Sequence, residues 1–293
     1  MTSLFLERLN NSSVLISDGA TGTNLQARGL PRGMSSDVWV LERPEEIVAL
    51  HREFLSAGSD LLLTCTFGAT RPRLESAGLG DRSTEINRRA VELARQAANG
   101  SQALIAGSIG PTGQLLEPLG PLTTAAAEEA FREQAAALAE AGVDLVVIET
   151  QFDLAEASAA VRAARLATSL PLVVSFSYDR GIRTMMGVRP SQMAQEMEAL
   201  GVDVLGINCG RSLADNLKAL QELAGATRQP IWFKPNAGLP RIEDDQAIYD
   251  MTPQEMGAGA ADWVALGARV VGGCCGTSPA HLAEIAQAAR SNA

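Results

Sequence analysis

The chain has 293 residues, of which 46% are hydrophobic and 20% charged, so a core of ample size is available. Its formal net charge of −10 excludes the basic footprint of a nucleic-acid binder. Four cysteines in this length are too few for a disulfide framework and suit a reducing, cytoplasmic setting, and no apolar run approaches the length of a membrane span. The first eight residues, Met1 to Arg8, lack the basic start and long apolar stretch of a signal peptide.

Short apolar runs alternate with longer segments of helical period. In chain order the expected strands are Val14–Ser17, Asp60–Thr66, Ala103–Ser108, Asp144–Glu149, Pro171–Ser177, Asp203–Asn208, Pro230–Lys234 and Arg269–Gly273. Most are apolar on both faces, which suits parallel strands covered on each side. Between them the expected helices are Pro44–Ala57, Ser83–Ala98, Thr123–Ala141, Leu154–Thr168, Pro190–Leu200, Ser212–Ala224 and Thr252–Leu266, with Pro279–Ala289 after the last strand. The junctions Ala57-Gly58-Ser59-Asp60, Ala141-Gly142-Val143-Asp144, Leu200-Gly201-Val202-Asp203 and Leu266-Gly267-Ala268-Arg269 repeat one helix-to-strand connector, with glycine at the left-handed helix end. Eight such units and no dividing linker predict an α/β fold, a single (β/α)₈ TIM barrel spanning residues 1–293.

In a barrel, chemistry gathers where strands end. The unusual residues of this chain fall there: Asp18 to Thr23, Cys65, Gly107 to Gly113, Glu149-Thr150, Asn208-Cys209, Lys234 to Gly238 and Cys274-Cys275. Cys209, Cys274 and Cys275 arrive from two strand ends among glycines, a pattern that suits a zinc site with an open fourth position. Free cysteines also serve as small buried hydrophobes, so the residues alone leave both readings open. Asp18 and Glu149 suit a substrate ammonium, though Asp18 also reads as a helix cap and Glu149 as a structural carboxylate. The loops Asp18–Thr23 and Gly107–Gly113 offer backbone amides for a carboxylate or phosphate, or are tight turns. Asn236 reads as a turn residue or a polar neighbour of the metal. His51 and His281 fall on helical segments and read as surface or packing residues.

The stretches DGATGTNL from Asp18, LTCTFGATRPRL from Leu63, GSIGPTG from Gly107, IET around Glu149, GINC ending at Cys209, PNAG from Pro235 and GGCCGT from Gly272 follow one another along almost the whole chain. Together they resemble the homocysteine S-methyltransferase family. Within it they look most like the homocysteine domain of cobalamin-dependent methionine synthase and, at Phe176-Ser177-Tyr178 and Gly181–Gly187, like stand-alone bacterial betaine–homocysteine methyltransferases. The resemblance implies an S-methyltransferase that makes methionine from homocysteine, with catalytic zinc on Cys209, Cys274 and Cys275 and the substrate sulfur as fourth ligand. It implies that the backbone of Gly19, Ala20 and Thr21 receives the substrate carboxylate, that Asp18 and Glu149 receive its ammonium, and that Asn236 approaches the metal when homocysteine is absent. The methyl donor is betaine, S-methylmethionine, S-adenosylmethionine or methylcobalamin on a separate corrinoid protein. The alternative is methylation of another thiol, or demethylation that passes the methyl group to a corrinoid protein. Two positions depart from the family. Cys65 replaces an asparagine and is expected to be a spectator. Gly68 stands where the animal betaine enzyme has a tyrosine that helps cage a quaternary ammonium, leaving Trp39, Phe67, Phe176, Tyr178 and Trp232 as cage candidates.

Overall fold

The computed structural model describes residues 3–12, 14–243 and 246–291. The barrel strands are β1 (Leu15–Ile16), β2 (Leu61–Leu63), β3 (Leu104–Ile109), β4 (Leu145–Gln151), β5 (Leu172–Phe176), β6 (Val204–Cys209), β7 (Ile231–Pro235) and β8 (Ala268–Val271). All pair in parallel, in the order β1-β8-β7-β6-β5-β4-β3-β2. One parallel bridge, Ser17 to Leu61, joins the two ends, giving a single (β/α)₈ barrel. The helices follow the expectation closely, for example Ser83–Ala98, Leu154–Ala167 and Pro253–Ala265. Among the described residues no helix is long and apolar enough to cross a membrane.

The repeated connector has a physical role at both of its marked positions. Gly58, Gly142, Gly201 and Gly267 all take positive φ, between 72° and 107°, where a side chain would be strained. The aspartate two residues later extends the neighbouring ladder with its carboxylate. Asp60 Oδ2 accepts from Ile16 N–H at 2.8 Å, Asp144 Oδ2 from Ile105 N–H at 2.6 Å and Asp203 Oδ2 from Leu172 N–H at 2.8 Å. Arginines pair with each: Arg8 and Arg290 with Asp60, Arg95 with Asp144, Arg165 with Asp203. The fourth connector carries Arg269 at this position, and it donates to Leu9 O and Ser12 O instead.

Those last contacts hold a helix outside the sequence-based expectation, Leu4–Asn11. Its Phe5 and Leu9 join Leu15, Leu61, Leu104, Leu145, Val173, Val204, Trp232 and Val270 in one buried cluster, so the helix plugs the barrel interior. Strand side chains alternate with period two. Continuing the inward register along each strand leads from Leu104 to Ser108, from Leu145 to Glu149, from Val173 to Ser175, from Val204 to Asn208 and from Trp232 to Lys234. The apolar plug and the polar mouth are thus two levels of one pattern. Further elements outside the expectation include the helices Thr21–Ala27, Trp39–Glu42 and Arg71–Leu74, and an antiparallel hairpin of Pro240–Glu243 and Gln246–Tyr249 after β7.

Candidate functional site

The polar level of the barrel is held by hydrogen-bonded pairs of side chains. Ser108 Oγ donates to Glu149 Oε1 at 2.6 Å, and Ser175 Oγ donates to Asn208 Oδ1 at 2.7 Å. Lys234 Nζ donates to Asp18 Oδ1 at 2.7 Å. Asp18 Oδ2 accepts from Leu63 N–H at 2.8 Å. Burial pushes the Lys234 pKa down, but Asp18 and Glu149 outweigh it and hold the ammonium form. Burial raises Glu149 to about 7, against the opposing pull of Lys234.

Cys209 lies at the end of β6, one residue past the inward register. A left-handed backbone, φ 56°, accompanies it there. Thr150, at the matching level of β4, has φ 59°. Non-glycine residues in this region cost on the order of 1–3 kcal/mol each and persist where surroundings fix them. Asn208 does the fixing: its Oδ1 accepts from Thr150 N–H at 2.9 Å and its Nδ2 donates to Thr150 Oγ1 at 2.7 Å. The same Nδ2 faces Cys209 Sγ at 3.5 Å and Cys274 Sγ at 3.8 Å.

Cys274 and Cys275 follow β8. The sulfurs of Cys209, Cys274 and Cys275 all lie within 4.8 Å of one another, and Cys209 and Cys274 are 2.9 Å apart. The loop is anchored by Cys274 N–H on Pro235 O and Ala237 N–H on Cys275 O, both at 2.9 Å. Shared hydrogen bonds with Cys209 and Cys274 push the Cys275 thiol well down. They push Cys209 well up, while burial and its like-charged neighbours help drive Cys274 up to about 12. The three thiols thus compete for charge. A soft cation on the three sulfurs relieves that competition, and sulfurs this close can share one.

The cysteines lie in the wall of a cavity of about 600 Å³ together with Glu149, Lys234 and the 19–23 segment. Asp18 lies behind Lys234, outside this wall, with both oxygens engaged. Asp18 does not cap the following helix, whose N-cap is Ala20. The Ala20 N–H is held by Thr277 O at 3.2 Å and Thr277 Oγ1 at 3.1 Å, while Gly19 and Thr21 also line the cavity. Asn236 Nδ2 donates to Gly210 O at 3.0 Å, and its buried Oδ1 accepts no hydrogen bond, leaving an oxygen with coordination capacity to spare. Cys65 also lines the cavity but stands apart from the sulfur cluster; its Sγ donates to Ser36 O at 3.4 Å, and burial raises its pKa. Thr150, Asn208 and Lys234 showed in the sequence as polar strand ends without a role, and Tyr249 carried no signal. Their roles come from partners remote along the chain.

A second cavity, about 470 Å³, shares Phe67, Thr150 and Cys209 with the first and adds Phe152, Met185, Arg73 and Asp179. Of the five aromatic cage candidates only Phe67 reaches either cavity, and the Arg73 guanidinium sits 5.0 Å from its ring centre. Trp39, Phe176, Tyr178 and Trp232 are buried in the core. Gly68 has no room for a side chain: its N–H donates to Asp37, and a Cβ would press on Asp37 and Ser35. His51 is a packing residue, buried with both ring nitrogens unpartnered. His281 bridges Ser278 and Met251 O.

Residues 15–289 match the homocysteine S-methyltransferase family model. The chain is 33% identical over 292 residues to a methionine synthase of Mycobacterium tuberculosis, covering 94% of this chain and 24% of that protein. A methionine synthase of Mycobacterium leprae gives 33% over 297 residues, 95% of this chain and 24% of the relative. The chain therefore spans about a quarter of the length of these relatives. Among solved structures, the metallated form of the homocysteine methyltransferase MmuM from Escherichia coli superposes with a TM-score of 0.82 at 28% identity, covering 96% of this chain and 98% of that one. A 3-dehydroquinate dehydratase from Geobacillus kaustophilus, at 14% identity and a TM-score of 0.53, shares the fold alone.

Proposed function

The chain belongs to the homocysteine S-methyltransferase family, and on that premise we propose that it is a zinc-dependent enzyme that methylates homocysteine to methionine. The observation that carries this reading is the convergence of three sulfurs within 4.8 Å in the wall of a cavity that also holds Glu149 and Lys234. Zinc bound by Cys209, Cys274 and Cys275 would supply a Lewis acid that keeps the substrate sulfur a thiolate at neutral pH.

The protein's own residues do the rest. Asn208 holds Cys209 and Cys274 in place through its amide N–H and fixes the strained turn at Thr150. Glu149 receives the substrate ammonium. The carboxylate goes to the amides of the 19–23 segment other than that of Ala20, which Thr277 holds, with the Lys234 ammonium in the same wall. Asp18 acts on the ammonium site through Lys234, which it holds as a cation. Alignment supplies the remaining rate: the substrate sulfur forms the new S–CH₃ bond as the donor's bond to that methyl breaks and its electron pair leaves with the donor. The second cavity reaches Cys209 and Thr150 as well and offers the donor's leaving half a mainly apolar site. Two rings, Phe67 and Phe152, line it, and with Phe67 covered by Arg73 only one stays open, fewer than a π-face cage for a cation needs. This weighs against betaine, whose quaternary ammonium is recognised by such a cage.

The test is metal content of the reduced protein, then methionine formation from homocysteine with betaine, S-methylmethionine, S-adenosylmethionine and methylcobalamin in turn. One zinc per chain with turnover on a donor other than betaine is the expected result. Absence of zinc from freshly reduced protein would sink the reading; turnover with betaine alone would sink the donor assignment.

A further inference from the structure

The second cavity carries one charged side chain of each sign, Arg73 and Asp179, among its apolar walls. Among the described residues neither forms an ion pair, with the other or with a third group. Arg71, two residues earlier, pairs with both Asp81 and Glu133. Arg73 is set in place without such a partner. Its Nη1 donates to Pro111 O at 3.2 Å, and its guanidinium lies 5.0 Å from the ring centre of Phe67. Gly68 leaves it room, since a Cβ there would stand 3.1 Å from Arg73 Nε. Asp37 and Glu156, the carboxyls on which its charge acts, are engaged elsewhere. Asp37 accepts from Ser35 Oγ and Gly68 N–H, and Glu156 accepts from Thr112 N–H and Oγ1. The Nε and Nη2 donors of Arg73, one edge of the guanidinium fork, have no protein acceptor among the described residues. That edge matches the two oxygens of a carboxylate.

We propose that Arg73 sets donor specificity by receiving a carboxylate on the leaving half of the methyl donor, an inference that rests on the methyltransferase reading above. The same wall includes Cys209, so an occupant held by Arg73 lies beside the sulfur cluster. The carboxylate takes no part in the transfer: the methyl passes to the substrate sulfur, the electron pair stays with the leaving half, and Arg73 keeps its hold on that half. Binding at such a remote group aligns the reacting one. Asp179, which accepts from Ser177 Oγ at 3.3 Å, adds an anionic group to the same cavity. Two unpaired charges of opposite sign suit an occupant that carries both, as an onium donor with a carboxylate does. A purely cationic donor would meet the guanidinium with nothing to offer it, which is discrimination by repulsion.

The experiment measures kcat/KM of the zinc-loaded full chain at saturating homocysteine. S-methylmethionine, S-adenosylmethionine and betaine are each compared with their own carboxamide, and methylcobalamin is run beside them. Wild type is expected to prefer the acid of the donor it uses over the amide by about 10–100-fold, the worth of a hydrogen bond to a charged group. Arg73→Met, which keeps a stem against Phe67, is expected to erase that preference by raising KM for the acid while leaving the amide rate and homocysteine affinity near wild type. Arg73→Lys is expected to restore part of it. A purely structural role would slow acid and amide alike. Equal use of acid and amide by wild type, an unchanged ratio in Arg73→Met, or zinc and homocysteine binding without turnover on any of the three acids would overturn the inference and leave the zinc site standing. A wild-type chain that binds neither zinc nor homocysteine would overturn the methyltransferase reading, and the inference with it.

Discussion

The carboxylate of Asp18 and the ammonium of Lys234 meet at 2.7 Å with side-chain exposures of 1% and 3%, joining β1 to β7 across 216 residues of sequence. Removing one member of a buried pair strands the other charge, at a cost of about 3–5 kcal/mol. Lys234→Met is therefore expected to destabilise the protein by about that amount in urea unfolding. Asp18→Asn combined with Lys234→Met should recover much of the loss, since no charge remains unpaired and Leu63 N–H keeps an acceptor.

Glu149 gives the site a pH dependence near neutrality. Only the carboxylate pairs with an ammonium, and burial raises its pKa from an ordinary 4.5 to about 7. Binding of methionine, which has the ammonium but no thiol proton, should strengthen as pH rises from 6 to 8 when followed by calorimetry. Glu149→Gln should bind weakly and without that slope. Stability runs the other way. Between 4.5 and about 7 the folded protein holds a proton that the unfolded chain has released, so this group lowers stability as pH climbs, by up to about 3 kcal/mol.

Removal of metal should expose the sulfur cluster to oxidation. Cys209 and Cys274 are the closest sulfurs, at 2.9 Å. After chelation, diamide is expected to consume two thiols and yield a Cys209–Cys274 disulfide on peptide mapping, reversed by dithiothreitol; the zinc-loaded protein should resist. Cys209→Ala, Cys274→Ala and Cys275→Ala should each lose the metal while retaining the far-UV spectrum, because the backbone bonds of this loop do not involve sulfur.

His51 sets an acid limit. Burial lowers its pKa from 6.5 to about 4, with no hydrogen bond to either nitrogen. Between these values the unfolded chain takes up a proton that the folded one refuses, so stability falls as pH drops through the window, by up to about 3 kcal/mol. His51→Leu should gain in melting temperature over wild type progressively as pH falls from 6.5 to 4, and a constant difference between the two would refute the assignment.

Most of the barrel was legible because strands covered on both faces read as unbroken apolar runs and the Gly-x-Asp connector marks where they begin. Cys209, Cys274, Cys275 and Glu149 were legible as residues that do not belong in such runs. The Leu4–Asn11 plug was not, since only the closed barrel creates the interior that Phe5 and Leu9 fill. Nor was the hairpin, whose Pro240-Arg241-Ile242-Glu243 strand reads as loop without its antiparallel partner. Lys234 showed as a strand end; its meaning depends on Asp18, at the other end of the chain. Four of the five aromatic candidates, Trp39, Phe176, Tyr178 and Trp232, failed for a related reason, because composition counts rings but not which of them the core consumes.

The barrel closes on its weakest ladder. β1 has two residues, and its junction with β2 rests on one bridge, on Asp60 holding the Ile16 amide and on Asp18 holding the Leu63 amide. The carboxylate that staples this seam is the same one that holds Lys234 at the mouth. Mouth and wall thus share one fastening, and any occupant that draws Lys234 away alters the load on the seam. The stiffness of the wall becomes a gauge of what fills the mouth, readable as amide exchange at Leu63.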